Sequence, residues 1–480
     1  MEQIKNYIGG EFTDAISKQS LDNYEPATGL VYSKIPDSDD RDVSKAIVAA
    51  SSAFAAWSAT SREERSQYLK QIASAIMRDL ESLARAESID SGKPLALART
   101  LDIPRSAKNF KFFASHILNM KSEVFVTDSS ATNFIESSPL GVVSCISPWN
   151  LPLYLFTWKI APALAAGNCV VAKPSEITPM TAYLLSKICA EVGLPNGVLN
   201  VVHGLGPKLG PTLVQDPRIK AISFTGSTRV GREISKMAAP YFKKLSLEMG
   251  GKNPNIIFAD CNFDEAVKTS VRAAFLNQGQ ICLCGSRILI EKSIYEKFRD
   301  AFLIEAKKLK QGDPLEQDTD QGAIVSFEHY RKILACLENA RAEGGQFLLG
   351  GRASNLKNRN EKGWFIEPTV IEGLGPFSKT NQEEIFGPVV SLQSFETEAD
   401  AIQNANSTGY GLAASIWTND QDLARRVSLK LESGIVWVNC WMLRDLRTPF
   451  GGVKDSGLGR EGGDYALRFF SEAKTVCVKT

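Results

Sequence analysis

The sequence predicts an α/β protein of two or three domains built on largely parallel sheets. At 480 residues the chain is longer than one hydrophobic core supports, because single cores stop growing at about 250 to 300 residues. Short β-type runs alternate with helical runs from Gly141 to about Thr225, and a second alternating block follows Glu248. Such alternation is typical of βαβ units in a parallel sheet. The two blocks therefore predict two α/β domains.

The region before the first block is predicted to be helical. Residues 41–119 carry apolar side chains at helical spacing, and Ser91-Gly92 supplies a helix stop. The first block contains the β-type runs GVVSCIS, GNCVVAK, GVLNVVHG and IKAISFTG. We expect residues 1–121 and 140–247 to form one domain.

The second block is expected to form a domain over residues 248–449. It contains the β-type runs NPNIIFA, SRILIEK, VVSLQSF and GIVWVNC, separated by helical runs. Residues 450–465 return from it toward the first domain. The ranges 122–139 and 466–480 are predicted as strands outside both cores. Because unpaired strand edges are usually covered in proteins, these two ranges predict oligomerisation.

The composition is that of an ordinary soluble globular protein, which excludes several classes of partner. The chain has 55 basic and 54 acidic residues, so its charge gives no reason to expect nucleic acid. The apolar region 142–172 is interrupted by prolines, Lys159 and asparagines, which argues against a membrane-spanning helix. MEQIKNYIGGEF shows no secretory signal pattern. Nine cysteines without disulfide-like spacing fit a reducing cytoplasm, and three scattered histidines predict no metal site.

Small and charged residues follow the β-type runs of the first domain, where parallel sheets bind ligands. CVVA is followed by Lys173-Pro174-Ser175-Glu176, whose carboxylate can accept hydrogen bonds from ribose hydroxyls and would repel a 2′-phosphate. The alternative is a surface pair that caps a helix. AISF is followed by Thr225-Gly226-Ser227, whose backbone N–H groups can approach a phosphate. Together these turns predict a nucleotide, and NAD rather than NADP.

The stretch FLNQGQICLCGSR places Cys282 and Cys284 one residue apart. Metal ligands, a redox pair, core residues and a nucleophile are the alternatives for these thiols. Glu248 in SLEMGGKNP could serve as a general base, and Asn150 in SPWNLP could donate its amide N–H to an oxyanion. A thiol, a carboxylate and an amide together support attack on a carbonyl followed by activation of water. This combination favours a nucleophilic cysteine.

At these residues the sequence resembles the aldehyde dehydrogenase family. The matching segments, in the family's order, are SPWNLP, AGNCVVAKPSE, FTGST, LEMGGKNP, FLNQGQICLCGSR, EEIFGPV and PFGGVKDSGLGREGG. The resemblance implies an aldehyde dehydrogenase-like fold with a Rossmann-type NAD domain, an α/β catalytic domain and a small β oligomerisation extension. It also implies a homodimer or homotetramer.

The resemblance implies roles for individual residues as well. Cys282 would be the nucleophile, Asn150 with the Cys282 backbone N–H the oxyanion hole, and Glu248 the base for thioester hydrolysis. Cys284 is left as a packing residue. NAD would be bound by residues of both domains: Trp149, Lys173, Glu176, Gly226, Ser227, Glu384 and Phe386.

The choice of aldehyde depends on arginines near the expected substrate channel. Arg105 in LARTLDIPRS and Arg444 in WMLRDLRTPFGG could hold a substrate carboxylate in bidentate geometry. The alternative is surface ion pairs of Arg105 with Asp102 and of Arg444 or Arg447 with Asp445. Since a carboxylate is the natural partner of a bidentate arginine, the two arginines predict an aldehyde that is also an acid.

Within the family, the segments LARTLDIPRS, QICLC and NCWMLRDLRTPFGG resemble the 2-aminomuconic and 2-hydroxymuconic semialdehyde dehydrogenases, and the aminomuconic branch more closely. Such enzymes oxidise semialdehyde acids from aromatic ring cleavage, in tryptophan or catechol breakdown. Gln280 departs from that branch, where Glu is common. The alternatives are a betaine-aldehyde or general aliphatic aldehyde dehydrogenase, a CoA-acylating dehydrogenase, and an inactive structural protein of the same fold.

Overall fold

Two open sheets and three small ones organise the chain in the computed structural model, which describes residues 2–121, 123–128 and 130–479. The predicted oligomerisation ranges 122–139 and 466–480 are therefore described without residues 122, 129 and 480. The strands are β1 Glu2–Gln3, β2 Asn6–Ile8, β3 Glu11–Thr13, β4 Ser20–Glu25, β5 Leu30–Pro36, β6 Glu123–Thr127, β7 Ala131–Pro139, β8 Val142–Ile146, β9 Cys169–Lys173, β10 Leu199–Val201, β11 Ile219–Thr225, β12 Lys244–Glu248, β13 Pro254–Ile257, β14 Arg287–Glu291, β15 Gln346–Leu349, β16 Thr369–Glu372, β17 Val389–Phe395, β18 Tyr410–Gly411, β19 Ala413–Trp417, β20 Ile435–Val438, β21 Val453–Lys454, β22 Gly457–Leu458 and β23 Ser471–Lys479.

The helices surround these sheets. They are α1 Asp40–Ser58, α2 Arg62–Arg78, α3 Leu80–Ser91, α4 Leu95–Leu97, α5 Ile103–His116, α6 Pro152–Ala165, α7 Met180–Glu191, α8 Gly206–Gln215, α9 Thr228–Ala238, α10 Phe263–Phe275, α11 Tyr295–Ala306, α12 Phe327–Ala342, α13 Lys379–Gln382, α14 Glu398–Asn406, α15 Gln421–Lys430 and α16 Gly463–Phe469. Helix α3 ends at the predicted stop, where Gly92 adopts φ +75°. Within the described residues, no helix combines the length and the apolar character needed to cross a membrane.

The first sheet has eight strands in the order β22-β12-β11-β8-β9-β10-β2-β3. Its five central strands are parallel, and β9 is buried along its whole length because helices cover both faces. From β8 the chain runs through β9 to β10 on one side, then returns to β11 and β12 on the other. This reversal places a ligand-binding crevice at the carboxyl ends of β8 and β11.

The second sheet has seven strands in the order β15-β16-β17-β14-β13-β19-β20, all parallel except the edge strand β15. Only five residues separate β12 of the first sheet from β13 of the second, so the carboxyl end of β12 lies where the chain passes from one sheet to the other. Strand β22 returns to the first sheet and pairs antiparallel with β12.

The third sheet, in the order β23-β7-β6, projects from the two cores. It is antiparallel, with β23 paired along the whole of β7. Apolar side chains of β6 are exposed, with Val126 71% accessible. Residues 466–469 lie in α16 and pack on the first core, and the strand itself begins at Ser471.

Candidate active site

Cys282 lies in a loop between α10 and β14 whose backbone is held from several sides. The predicted helical run FDEAVKTSVRAAFLNQG ends as an α-helix at Phe275, and a short 3₁₀ turn with Asn277 and Gln278 in the left-handed region follows. Left-handed backbone in non-glycine residues is a feature of functional sites, where the surroundings hold it in place. The buried Asn253 amide donates to the carbonyls of Cys282 at 2.7 Å and Cys284 at 2.9 Å.

Asn150 reaches this loop from the end of the first sheet. It lies just beyond β8, and its Nδ2 donates to the Gln280 carbonyl at 3.0 Å. The Asn277 amide donates in turn to the Asn150 carbonyl at 3.0 Å. The Gln280 side chain accepts from the Val325 N–H at 3.1 Å and donates to the Asn277 carbonyl at 3.3 Å. Since an amide can both accept and donate, whereas an ionised carboxylate can only accept, Gln280 suits this buried position.

Glu248 ends strand β12 and is buried without a hydrogen-bond partner for either carboxylate oxygen among the described residues. Burial raises its pKa well above the ordinary value, the charge of Glu461 adds to this, and Lys159, Arg460 and Arg444 oppose it. Lys159 donates to Glu461 at 2.8 Å, and the charges of both residues act on Glu248. An unpartnered carboxyl with a raised pKa suits a general base near neutral pH.

The Cys282 thiol has its pKa raised by burial, and further by the charges of Glu384 and Glu248, while Arg444 lowers it. Cys284 is also buried, and burial raises its pKa to about 12. Cys282 keeps a partly accessible surface, whereas Cys284 is packed in an apolar cluster with Trp437. The two thiols therefore differ in access, which is what separates a reactive cysteine from a packing one.

Arg105 and Arg444 come together on one side of this centre. The Arg444 Nη1 donates to the Tyr154 hydroxyl at 3.3 Å, and the Arg105 guanidinium lies 5.1 Å from the centre of the Tyr154 ring. Buried N–H groups on both guanidiniums lack acceptors in the described residues: Nη2 of Arg105, and Nε and Nη2 of Arg444. Phe450 and Trp158 pack on the Arg444 guanidinium, with ring centres at 3.7 and 4.8 Å.

The alternative surface ion pairs, Arg105 with Asp102 and Arg444 with Asp445, do not form. Asp102 is paired with the fully buried Lys93, and Asp445 with the exposed Arg447, whose Nε donates at 3.0 Å. Arg447 therefore differs from Arg444 in having its own carboxylate. Arg105 and Arg444, in contrast, form no salt bridge with a carboxylate among the described residues.

The helix that carries Arg105 is distorted just before this residue. Residues 98–102 form a π-helical turn between α4 and α5, because Pro104 lacks the N–H that an α-helical turn would use and its ring clashes with the preceding turn. The buried Lys93 ammonium holds Asp102 in that turn and lies 3.5 Å from Glu87. Glu87 also accepts from the Leu153 N–H at the start of α6. One buried cluster thus joins the two helices on which Arg105 and Tyr154 lie.

The predicted nucleotide contacts lie at the carboxyl ends of β9 and β11. Lys173 donates to Glu176 at 2.8 Å, and although burial alone would raise the pKa of Glu176, the Lys173 charge holds it below its ordinary value. The carboxylate lies at the amino end of α8, where it accepts from the Gly206 N–H at 3.4 Å, and a cavity of about 690 Å³ opens beside it. Gly226 and Ser227 precede α9, with Ser227 as its N-cap.

Glu384 and Phe386 precede strand β17 of the second sheet, and Trp149 follows strand β8 of the first. Glu384 Oε1 accepts from the Gly251 N–H at 2.9 Å, and burial raises the pKa of Glu384 to about 7. A side chain at Gly250 would place its Cβ 2.0 Å from the Glu384 carboxylate, so only glycine permits this approach. Trp149 packs edge-on against Phe386, with ring centres 5.2 Å apart.

Sequence reasoning missed four residues of the site: Asn253, Tyr154, Lys159 and Glu461. Lys159 interrupts an apolar run, and a lysine in such a run signals a buried partner. Tyr154 lies four residues before Trp158, a spacing that places both on one face of a helix. Among the described residues, no group of three or more His, Cys, Asp or Glu side chains is arranged to hold a metal ion.

Comparisons with known proteins assign the chain to a family. The model of the aldehyde dehydrogenase family matches residues 12–476. Bovine (Bos taurus) 2-aminomuconic semialdehyde dehydrogenase is 47% identical over 479 residues, which cover 99% of this chain and 98% of the relative. The 2-hydroxymuconic semialdehyde dehydrogenase of Pseudomonas sp. strain CF600 is 42% identical over 485 residues, covering 100% of both chains.

A solved structure agrees with this match. Betaine aldehyde dehydrogenase from Staphylococcus aureus in complex with NAD⁺ superposes with a TM-score of 0.96 at 38% identity, covering 99% of this chain and 94% of that one. The predicted fold and family are therefore confirmed. Because the superposition covers nearly the whole chain, both large sheets belong to the shared architecture. The chain belongs to the aldehyde dehydrogenase family.

Proposed function

We propose that this protein oxidises an aldehyde that also carries a carboxylate, 2-aminomuconic semialdehyde, to the corresponding acid with NAD. The observation that carries the substrate class is the pair of guanidiniums, Arg105 and Arg444, with buried N–H groups that find no acceptor in the described residues. Buried donors of this kind are costly unless a ligand satisfies them. The name of the bovine relative supports 2-aminomuconic semialdehyde, and that of the Pseudomonas relative supports the wider class of muconic semialdehydes.

Cys282 is the proposed nucleophile. Its thiolate attacks the aldehyde carbon to give a thiohemiacetal, while the Asn150 amide and the Cys282 backbone N–H stabilise the oxyanion. NAD, when bound, supplies the hydride acceptor that converts this adduct to a thioester. Glu248 then takes a proton from a water molecule, whose oxygen attacks the thioester and releases the acid and the thiol. This cycle places the partly accessible thiol and the unpartnered carboxyl in successive steps.

NAD fits the residues at the crevice. We propose that Glu176, held by Lys173, accepts hydrogen bonds from a ribose, that the turn at Gly226-Ser227 faces the pyrophosphate, and that Glu384 with Phe386 holds the second ribose. Trp149 would lie beside the pyrophosphate. The carboxylate of Glu176, kept ionised by Lys173, favours NAD over NADP because it would repel a 2′-phosphate. The NAD⁺ complex of the Staphylococcus aureus relative supports this assignment.

The proposed domain functions follow the sheets. Residues 1–121 and 140–247 would bind NAD, residues 248–449 would supply the nucleophile, and residues 450–465 would return to the first sheet. The ranges 122–139 and 466–480 would join two or four copies of the chain, which the exposed apolar side chains of β6 support. All nine cysteines are free, which supports a cytoplasmic location.

The function is tested by following NADH formation at 340 nm with purified protein, NAD and no CoA. The substrates are enzymatically generated 2-aminomuconic and 2-hydroxymuconic semialdehydes and an uncharged aldehyde of similar length. We expect kcat/KM to be about a hundredfold or more higher for the acids, because each charge-assisted hydrogen bond contributes about 1.5 to 3 kcal/mol. Similar rates on all three would remove the semialdehyde assignment. A requirement for CoA would instead indicate an acylating enzyme.

Replacement of either Arg105 or Arg444 by alanine is expected to lower kcat/KM for the semialdehyde acids by about ten- to a hundredfold and to leave the uncharged aldehyde nearly unaffected. Arg447→Ala is the matched control, because this neighbouring arginine is exposed and paired with Asp445. Equal losses on acid and uncharged aldehyde would show that the two arginines do not recognise the carboxylate.

A further inference from the structure

Tyr154 lies between the two arginines of the proposed carboxylate site. It is in the first turn of α6, is 4% exposed, and its hydroxyl oxygen accepts from Arg444 Nη1 at 3.3 Å. The face of its ring lies against the Arg105 guanidinium. The phenol therefore contacts both cations. Among the hydrogen bonds and cation–π contacts of the described residues, Tyr154 is the only side chain shared by the two guanidiniums.

The hydrogen-bonding groups around Tyr154 include more donors than acceptors. A phenol can accept and also donate, yet the Tyr154 hydroxyl donates to no acceptor in the described part of the chain, although the hydroxyls of Tyr32 and Tyr295 both donate to carboxylates. Arg105 Nη2 and Arg444 Nε and Nη2 also lack acceptors there. Several donors on neighbouring side chains are thus left without a hydrogen-bond acceptor among the described residues. A group with several lone pairs and a negative charge is the partner that satisfies all of them.

Asn109 fixes the relative positions of these donors. Its Oδ1 accepts from Arg105 Nε at 3.3 Å, and its Nδ2 donates to the Tyr154 carbonyl at 3.0 Å and to Thr157 Oγ1 at 3.0 Å. Asn109 is fully buried on α5, and Tyr154 and Thr157 are on α6. One amide therefore ties the guanidinium of one helix to the backbone that carries the phenol on the other, so the donors are arranged before a ligand enters.

We propose that Tyr154 is a specificity-determining residue that donates its hydroxyl proton to the substrate carboxylate while it accepts from Arg444. This assignment rests on the proposed function of Arg105 and Arg444 and adds a neutral third donor to them. A site built from donors with no acceptor of its own rejects a substrate that lacks the carboxylate, because binding then leaves those donors buried and unpaired. Tyr154 thus strengthens the preference for an acid without adding charge.

The test is the variant Tyr154→Phe, which removes only the hydroxyl and keeps the ring against Arg105. We expect kcat/KM for the semialdehyde acid to fall by about tenfold, mainly through KM, and that of an uncharged aldehyde to change less than about threefold. The inhibition constant of adipate, a dicarboxylate without an aldehyde, should rise by a similar factor. Tyr183→Phe is the matched control, since Tyr183 is buried on α7 in a separate apolar cluster with Ile4 and Phe12, and should leave both measurements unchanged.

The outcomes separate this inference from the function on which it rests. If Arg105→Ala and Arg444→Ala weaken acid and uncharged aldehyde equally, both the carboxylate site and the role of Tyr154 are rejected. If the arginine variants are selective for the acid but Tyr154→Phe alters neither the ratio of the two substrates nor adipate inhibition, the role of Tyr154 alone is rejected. Selective losses in all three variants support it.

Discussion

Alanine at position 282 is expected to lower the rate of NADH formation by about four orders of magnitude or more, because the thiol of Cys282 is the proposed nucleophile that forms the covalent adduct. The structure gives the residue partial access within a loop that Asn253 and Asn150 hold by hydrogen bonds. Since burial raises its pKa, and the charges of Glu384 and Glu248 raise it further, attack requires prior loss of the thiol proton. The measurement is the initial rate at saturating NAD and semialdehyde.

Cys284→Ala is the matched control for this experiment. Cys284 lies two residues away and is buried against apolar side chains, so its loss should reduce the thermal unfolding temperature modestly and leave kcat within about threefold. Comparable inactivation of both variants would indicate that the two thiols act as a pair. Full activity of Cys282→Ala would overturn the nucleophile assignment.

Glutamine at position 248 is expected to stop the cycle after hydride transfer. The first turnover should then release about one NADH per active site in a rapid burst, and the following steady-state rate should be about a hundred- to ten-thousandfold lower than that of the unaltered protein. The physical reason is that the amide cannot take a proton from water, so the thioester on Cys282 persists. Rapid mixing at 340 nm and mass spectrometry of the acid-quenched protein would detect the burst and the acyl adduct.

The pH dependence of the unaltered protein carries the same information. Glu248 must be ionised to act as a base, and burial raises its pKa, so the hydrolytic rate should fall as the pH drops through this raised pKa, at a higher pH than an exposed glutamate would give. In Glu248→Gln this acidic limb should be absent. A variant with no burst, or one that keeps the limb, would assign Glu248 a role before hydride transfer or none.

Much of the fold follows from local patterns. Short β-type runs predict strands of the two large sheets, and helical spacing with a Ser91-Gly92 stop predicts the helices before them. These patterns are readable because a strand covered by helices on both faces must be apolar throughout, as in β9. The irregular elements were not predicted: the left-handed residues Asn277 and Gln278, and the π-helical turn before Pro104. Such backbone is stabilised by contacts from distant segments, which a local pattern does not contain.

The candidate site is likewise only partly predictable from the sequence. Cys282, Glu248, Asn150 and the Lys173-Glu176 turn are recognisable along the chain, because each chemistry needs a particular side chain in a particular short motif. Whether Arg105 and Arg444 are paired on the surface or unpaired at the reacting centre depended on Lys93 and Arg447, which take Asp102 and Asp445. The places of Tyr154, Asn109 and the Lys159–Glu461 pair likewise arise only when α5, α6 and the returning C-terminal segment pack together. Motifs therefore indicate the proposed chemistry, whereas the positions of Tyr154 and Lys159 relative to their partners depend on contacts between residues 45 to 302 positions apart in the chain.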